Sequence, residues 1–202
     1  GLGDVYKRQL LQKVRALSGI KKVFVRSGIR YDYLLADKND RFLDELCRYH
    51  VSGQLKVAPE HVAEHALANM GKPGKSVYLK FMRAFNKKNQ EIGLKQFLVP
   101  YFISSHPGCT LRDAVELSEF LRDIGHQPEQ VQDFIPTPGS ASTAMYYSGI
   151  NPETGKKVFV ARNPHDKAMQ RALMQYKNPK NRQLVKDCLL YTSPSPRDIS
   201  GS

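Results

Sequence analysis

Residues able to move a proton or hold an anion recur at one kind of position in this sequence: just after a short apolar run. Ser104, Ser105 and His106 follow Phe97-Leu98-Val99-Pro100-Tyr101-Phe102-Ile103. Glu60 and His61 follow Leu55 to Pro59, and Lys56 lies inside that run. Arg26, Ser27 and Arg30 lie at or after the end of Val23-Phe24-Val25, and Thr137 follows Val131 to Pro136. A histidine and a carboxylate can serve as acid or base near neutral pH. The flat fork of arginine suits a carboxylate or a phosphate. Each also has a plainer reading. The arginines can be solvated loop residues, Glu60 and His61 can cap the following helix, and Lys56 can lay its stem along apolar surface. For Arg26, Ser27 and Arg30 the sequence alone favours the plainer one.

Other chemistries are excluded by spacing. Gly74-Lys75-Ser76 matches the end of a phosphate loop, but Asn69 stands where its first glycine belongs. Pro138-Gly139-Ser140 is a poor substitute for the glycine-rich loop of a metal-free sugar-phosphate barrel. Only Cys47 and Cys109 lie outside the two ends set aside below, and two distant cysteines form neither a disulfide framework nor a multi-cysteine metal site, so no metal ligand is assigned. No membrane span or signal peptide is visible, and a cytoplasmic, reducing setting is the expectation.

The elements needed to position these residues can be traced in order. Leu10 to Ser18 reads as the end of a helix, and Lys21 to Gly28 as a strand. Asp40 to His50 is a helix with Phe42, Leu43, Leu46 and Tyr49 as its apolar stripe. Gly53 to His61 is a strand, followed by helices over Val62 to Met70 and Ser76 to Ile92. The third strand, apolar on both faces, is flawed by Pro100, which cannot donate to a ladder. Thr110 and Asp113 then open a helix that Gly125 ends. Val131 to Pro136 is a fourth strand. Ala144 to Val160 reads as a hairpin around Asn151-Pro152-Glu153-Thr154-Gly155. Asn163 with Pro164 starts a helix, and Lys180 to Lys186 forms a last short one. The strand–helix alternation predicts an α/β fold with a parallel sheet and right-handed crossovers. In such sheets ligands sit at the carboxyl ends of strands.

The two ends stand apart. Asp4 to Gln9 can be encoded by GAT GTG TAT AAG AGA CAG. Cys188 to Ser193 can be encoded by TGT CTC TTA TAC ACA TCT, the reverse complement shifted by one frame. Residues 1–9 and 188–202 are therefore read as adapter-derived and set aside. The formal net charge of +12 then loses three basic and two acidic residues and becomes +11. That suits an anionic partner such as RNA, although scattered cations are more often a solvated surface. A basic nucleic-acid-binding α/β module is accordingly the alternative reading, carried by the charge and the final helices.

Several segments in order resemble one family. Lys22 to Leu35, Gly53 to His61 with Met70-Gly71-Lys72-Pro73-Gly74, Gln96 to Ala114, Pro128 to Thr143, and Ala161 to Asn181 resemble the YgiQ-type radical S-adenosylmethionine proteins. In layout they are also similar to radical methylthiotransferases. The resemblance covers nearly all of 10–187. It implies a partial (β/α)6 barrel, of which 10–143 would supply the third to sixth strands and 144–187 a hairpin and helical extension. It also implies S-adenosylmethionine, a [4Fe–4S] cluster held by CxxxCxxC, a reductant for that cluster and a substrate that the sequence does not identify. CxxxCxxC is absent, so the cluster strand is expected upstream of Leu10 and the chain alone is expected to be inactive. On this resemblance Arg26, Ser27, Arg30, Lys56, Glu60, His61, Ser104, Ser105, His106 and Thr137 become cofactor-facing candidates.

Overall fold

A computed structural model describes residues 2–37 and 40–192; 193–202, most of the carboxyl-terminal stretch read above as adapter-derived, lie outside the described residues. The chain forms two compact units. The first is Gly1–Pro59 with Pro73–Tyr101, the second Glu60–Lys72 with Phe102–Ser202. The fold is α/β, with a parallel open sheet in the order β1-β2-β3. β1 is Gln54–Glu60, β2 is Phe97–Ser104 and β3 is Gln132–Asp133.

The first unit contains helices α1 (Leu2–Arg15), α2 (Tyr31–Leu35) and α3 (Arg41–Glu45), a π-helical turn at Leu46–His50, and later α5 (Lys75–Ile92). Helix α4 (Glu64–Asn69) belongs to the second unit. Leu55 and Val57 alternate inward along β1, while Gln54 and Ala58 are exposed, the period of two expected of a strand. Tyr31 stacks on Phe81 with centroids 5.5 Å apart, and Phe81 lies 6.1 Å from Phe85. These rings with Leu34, Phe42 and Leu46 make an aromatic-rich core. Gly93, at φ 68°, closes α5 in the left-handed conformation that glycine adopts without strain.

In the second unit, α6 (Leu111–Asp123) opens with a full capping box. The Thr110 side chain accepts from the Asp113 N–H, and the Asp113 carboxylate accepts from the Thr110 N–H. Helices α7 (Ala141–Ser148), α8 (Pro164–Met174) and α9 (Arg182–Thr192) follow, the last preceded by a 3-10 turn at Pro179–Asn181. Ala114 of α6, Met169 and Leu173 of α8 and Cys188 of α9 form one buried cluster. Ala63, Ala66 and Cys109 form another, against Met70. All three cysteines are buried and none is in a disulfide. Burial pushes the Cys47 and Cys188 thiols up to about 12 and about 11, and raises that of Cys109. Among the described residues no helix is long and apolar enough to cross a membrane.

Two expectations need correction. Lys21 to Gly28 forms no strand, so the described sheet has three strands rather than four. Val25 N–H donates to His50 O at 2.8 Å, and the His50 ring bonds Val23 O at 2.8 Å, but Phe24 is exposed and no ladder develops. The segment over Ala144 to Val160 is not a hairpin. Ser140 accepts from the Thr143 N–H and nucleates α7, leaving only an isolated antiparallel bridge between Ile150 and Lys157 around the expected turn. The expectation for Pro100 holds: β2 carries it within the strand and is locally unpaired there on one side. β3 pairs only with Ile103 and Ser104, so Pro100 interrupts no ladder on that side.

Candidate functional site

The polar groups gather in the second unit, at the carboxyl end of β2. Ser104 is the last residue of that strand, and its hydroxyl donates to Asp133 Oδ1 on β3 at 2.5 Å. The partner oxygen Oδ2 accepts from Arg171 of α8. The parallel pairing Ser104↔Asp133 sets this contact directly. Ser105 then takes a left-handed backbone conformation, φ 60°, which costs a non-glycine residue on the order of 1–2 kcal/mol. Its N–H donates to Gln170 Oε1 at 3.0 Å, while Gln170 Nε2 donates to Cys109 O at 3.2 Å. Gln170 is 2% exposed, so one buried amide braces both sides of the turn.

His106 follows, also buried. Its Nδ1 lies 2.8 Å from Pro107 O, an acceptor only, so Nδ1 carries the proton. Nε2 therefore accepts from the Ser142 hydroxyl at 2.8 Å. The ring meets Phe134 edge-on at 5.0 Å. Burial lowers its pKa, opposed in part by the bond to Pro107. Gly108 comes next at φ 90°, and a Cβ there would fall 2.5 Å from Asn69 Nδ2. Only glycine permits both that conformation and that approach.

β1 ends the same way. Glu60 has φ 67°, and a buried histidine, His61, follows it. His61 Nδ1 accepts from the Ala63 N–H at 3.1 Å, which puts the ring proton on Nε2. Burial pushes its pKa down to about 4, against an opposing pull from Asp113 and with a further push from His106. Glu60 pairs with Lys72 at 3.2 Å. Two strand ends thus share one device: a left-handed, non-glycine residue, then a neutral, buried imidazole. Such strained residues cluster at functional sites, because the surrounding structure must hold them in place.

The second unit therefore brings His61, Ser104, Ser105 and His106 into one buried polar cluster. Thr137 is not part of it; that side chain is exposed and bonds within its own turn to Ile135 O. In the first unit, Arg26 and Ser27 are exposed. Arg30 forms a two-point pair with Asp32 at 3.0 and 2.6 Å and lies over Tyr33 at 4.7 Å. Lys56 is half-buried, with its ammonium 5.5 Å from the Tyr101 ring. Sequence reasoning missed Asp133, Ser142, Gln170 and Arg171. Gln170 did leave a signal: it stands three and four residues before Leu173 and Met174, a polar group in register with apolar ones.

The fold and this cluster define an α/β chain with a braced polar site at its strand ends. Residues 129–195 match a family described as a domain of unknown function, DUF3362. That stretch lies wholly in the second unit and supplies Asp133, Ser142, Gln170 and Arg171. Over 181 residues the chain is 58% identical to a UPF0313 protein of Clostridium perfringens, and 54% identical to one of Clostridium botulinum. These matches take in 90% of the chain but only 27% and 28% of those relatives. The chain thus spans about a quarter of the length of the curated proteins it matches.

Proposed function

We propose that this chain is the cofactor- and substrate-binding part of a radical S-adenosylmethionine enzyme. The observation that carries the reading is the repeated strand-end device at Glu60-His61 and Ser105-His106, embedded in a buried polar cluster. Polar strand ends of an α/β sheet are where such folds hold ligands. The similarity to much longer UPF0313 proteins supports a site completed by sequence outside this chain.

The residues present fit the two implied groups differently. S-adenosylmethionine offers a carboxylate, an ammonium and ribose hydroxyls, which the Ser105 hydroxyl, the His61 Nε2–H and Arg171 suit. Bound there, and cleaved with loss of methionine by one electron from the cluster, it would supply hydrogen-abstraction chemistry. The iron–sulfur cluster does not fit. It needs thiolates, whereas Cys47 and Cys109 are buried, protonated thiols in different units. Among the described residues no group of three His, Cys, Asp or Glu is arranged for a metal ion. On this reading the cluster belongs to another part of the longer protein. His61 and His106, both neutral, orient ligand atoms rather than supply protons at pH 7.

The test uses the full-length protein that contains this sequence, purified without oxygen and given dithionite and S-adenosylmethionine. Formation of 5′-deoxyadenosine, falling at least tenfold in His61→Phe and Ser105→Ala while cluster absorbance is retained, supports the reading. A cluster-loaded protein that forms none, or variants equal to wild type, overturns it.

A further inference from the structure

The first unit holds a cavity of about 490 Å³ unrelated to the polar cluster of the second. It lies at the amino ends of β1 and β2, where Gly53 and Gln96 precede those strands. Its lining carries Arg15, Lys21, Lys22, Arg48 and Lys95 and no acidic residue. Phe24 and Tyr49, 46% and 49% exposed, stand among these cations. The Arg15 guanidinium lies over Tyr49 at 3.9 Å, and the Lys22 ammonium 5.9 Å from the Phe24 ring. Of the five cations, Arg48 pairs with Asp44 at 2.8 Å and Arg15 with Glu45 at 4.0 Å.

Two lining polar groups are incompletely bonded. Gln96 Nε2 donates to Cys47 O at 2.7 Å and Val51 O at 3.1 Å, which fixes the amide and leaves Oε1 without a partner. Arg15 Nη1 also has none. Cations that track a phosphate backbone, interleaved with exposed rings on which a base can stack, are the two components of single-strand recognition. The volume lies in the range of small-molecule sites.

We propose that this cavity binds a nucleotide, its phosphate held by Lys21, Lys22 and Lys95 and its base stacked on Phe24. The nucleotide can come from single-stranded RNA or from a free mononucleotide. The test titrates the whole chain with a labelled single-stranded RNA dodecamer by fluorescence anisotropy and with AMP by calorimetry, over a series of salt concentrations. The triple variant Lys21→Gln, Lys22→Gln, Lys95→Gln should bind at least tenfold more weakly. Its salt dependence for the RNA should be shallower by about 0.7 in the log–log slope, as expected for one lost contact to a single-stranded phosphate. Phe24→Ala should cost about tenfold through stacking. A control with the same charge loss elsewhere, Lys177→Gln, Lys180→Gln, Lys186→Gln, should change affinity less than threefold. Binding of RNA alone assigns the source to a strand; saturation by AMP, with competition against RNA, assigns it to free nucleotide. No binding of either probe at low salt overturns the proposal, as does a control that loses as much as the triple variant, or Phe24→Ala equal to wild type.

Discussion

Gln170 satisfies a buried N–H and a buried carbonyl at once, and its register with Leu173 and Met174 marks it as buried without naming those partners. Gln170→Leu keeps the volume but strands both groups. The urea midpoint should fall by the equivalent of about 2–4 kcal/mol with an unchanged slope, since each buried orphan costs roughly 1–3 kcal/mol. His61 makes a prediction in pH. Its pKa falls from 6.5 when unfolded to about 4 when folded, so folding favours the neutral ring. The associated stability is present above pH 6.5 and is lost as pH falls toward 4, by about 3 kcal/mol. His106 is shifted the same way and adds to the loss. His61→Phe should flatten the decline between pH 6.5 and 4.5, read from urea midpoints at each pH. Ser104, Ser105, His106 and His61 were legible in the sequence because they end apolar runs. Asp133, Ser142 and Arg171 were not, because they reach the cluster across 29 to 38 residues, as bonds made by tertiary folding.

The helices were read more faithfully than the strands. Helix α5 and the capped starts of α6 and α8 follow from side-chain spacing and caps that act within one turn. A strand exists only if a neighbour pairs with it, so the apolar run at Val23 to Val25 could not by itself secure a ladder. Tyr146 and Tyr147 favour strand intrinsically, yet the helix that the Ser140 cap opens carries them into α7. Ser140→Ala should therefore destabilise the second unit by about 1 kcal/mol, and Ser140→Gly by a few tenths. Gly108→Ala is the harsher change at the turn before α6. It combines a positive φ with a 2.5 Å approach to Asn69, so its loss should exceed about 1 kcal/mol. Shortening Asn69 to Ala in that background should recover the steric part alone. Both series can be read by urea unfolding.

At the scale of the molecule, the segment matching DUF3362 is not an appendage. It provides hydrogen-bond partners to Ser104, Ser105 and His106 within one compact unit. Removing residues 129–202 should leave 60–72 and 102–128 sensitive to limited proteolysis, whereas a folded remainder there would contradict this account. Iron and sulfide added to the 202-residue chain should give no reducible [4Fe–4S] spectrum, because its thiols are buried and scattered. Those same thiols are useful in another way. Cys47 sits in the first unit, Cys109 and Cys188 in the second, and each is both shielded and poorly ionised. A mass-tagged alkylating reagent can reach them only during transient opening, so three sulfur atoms act as built-in clocks. Their separate rates would time how often each half of the protein breathes, with no label engineered in.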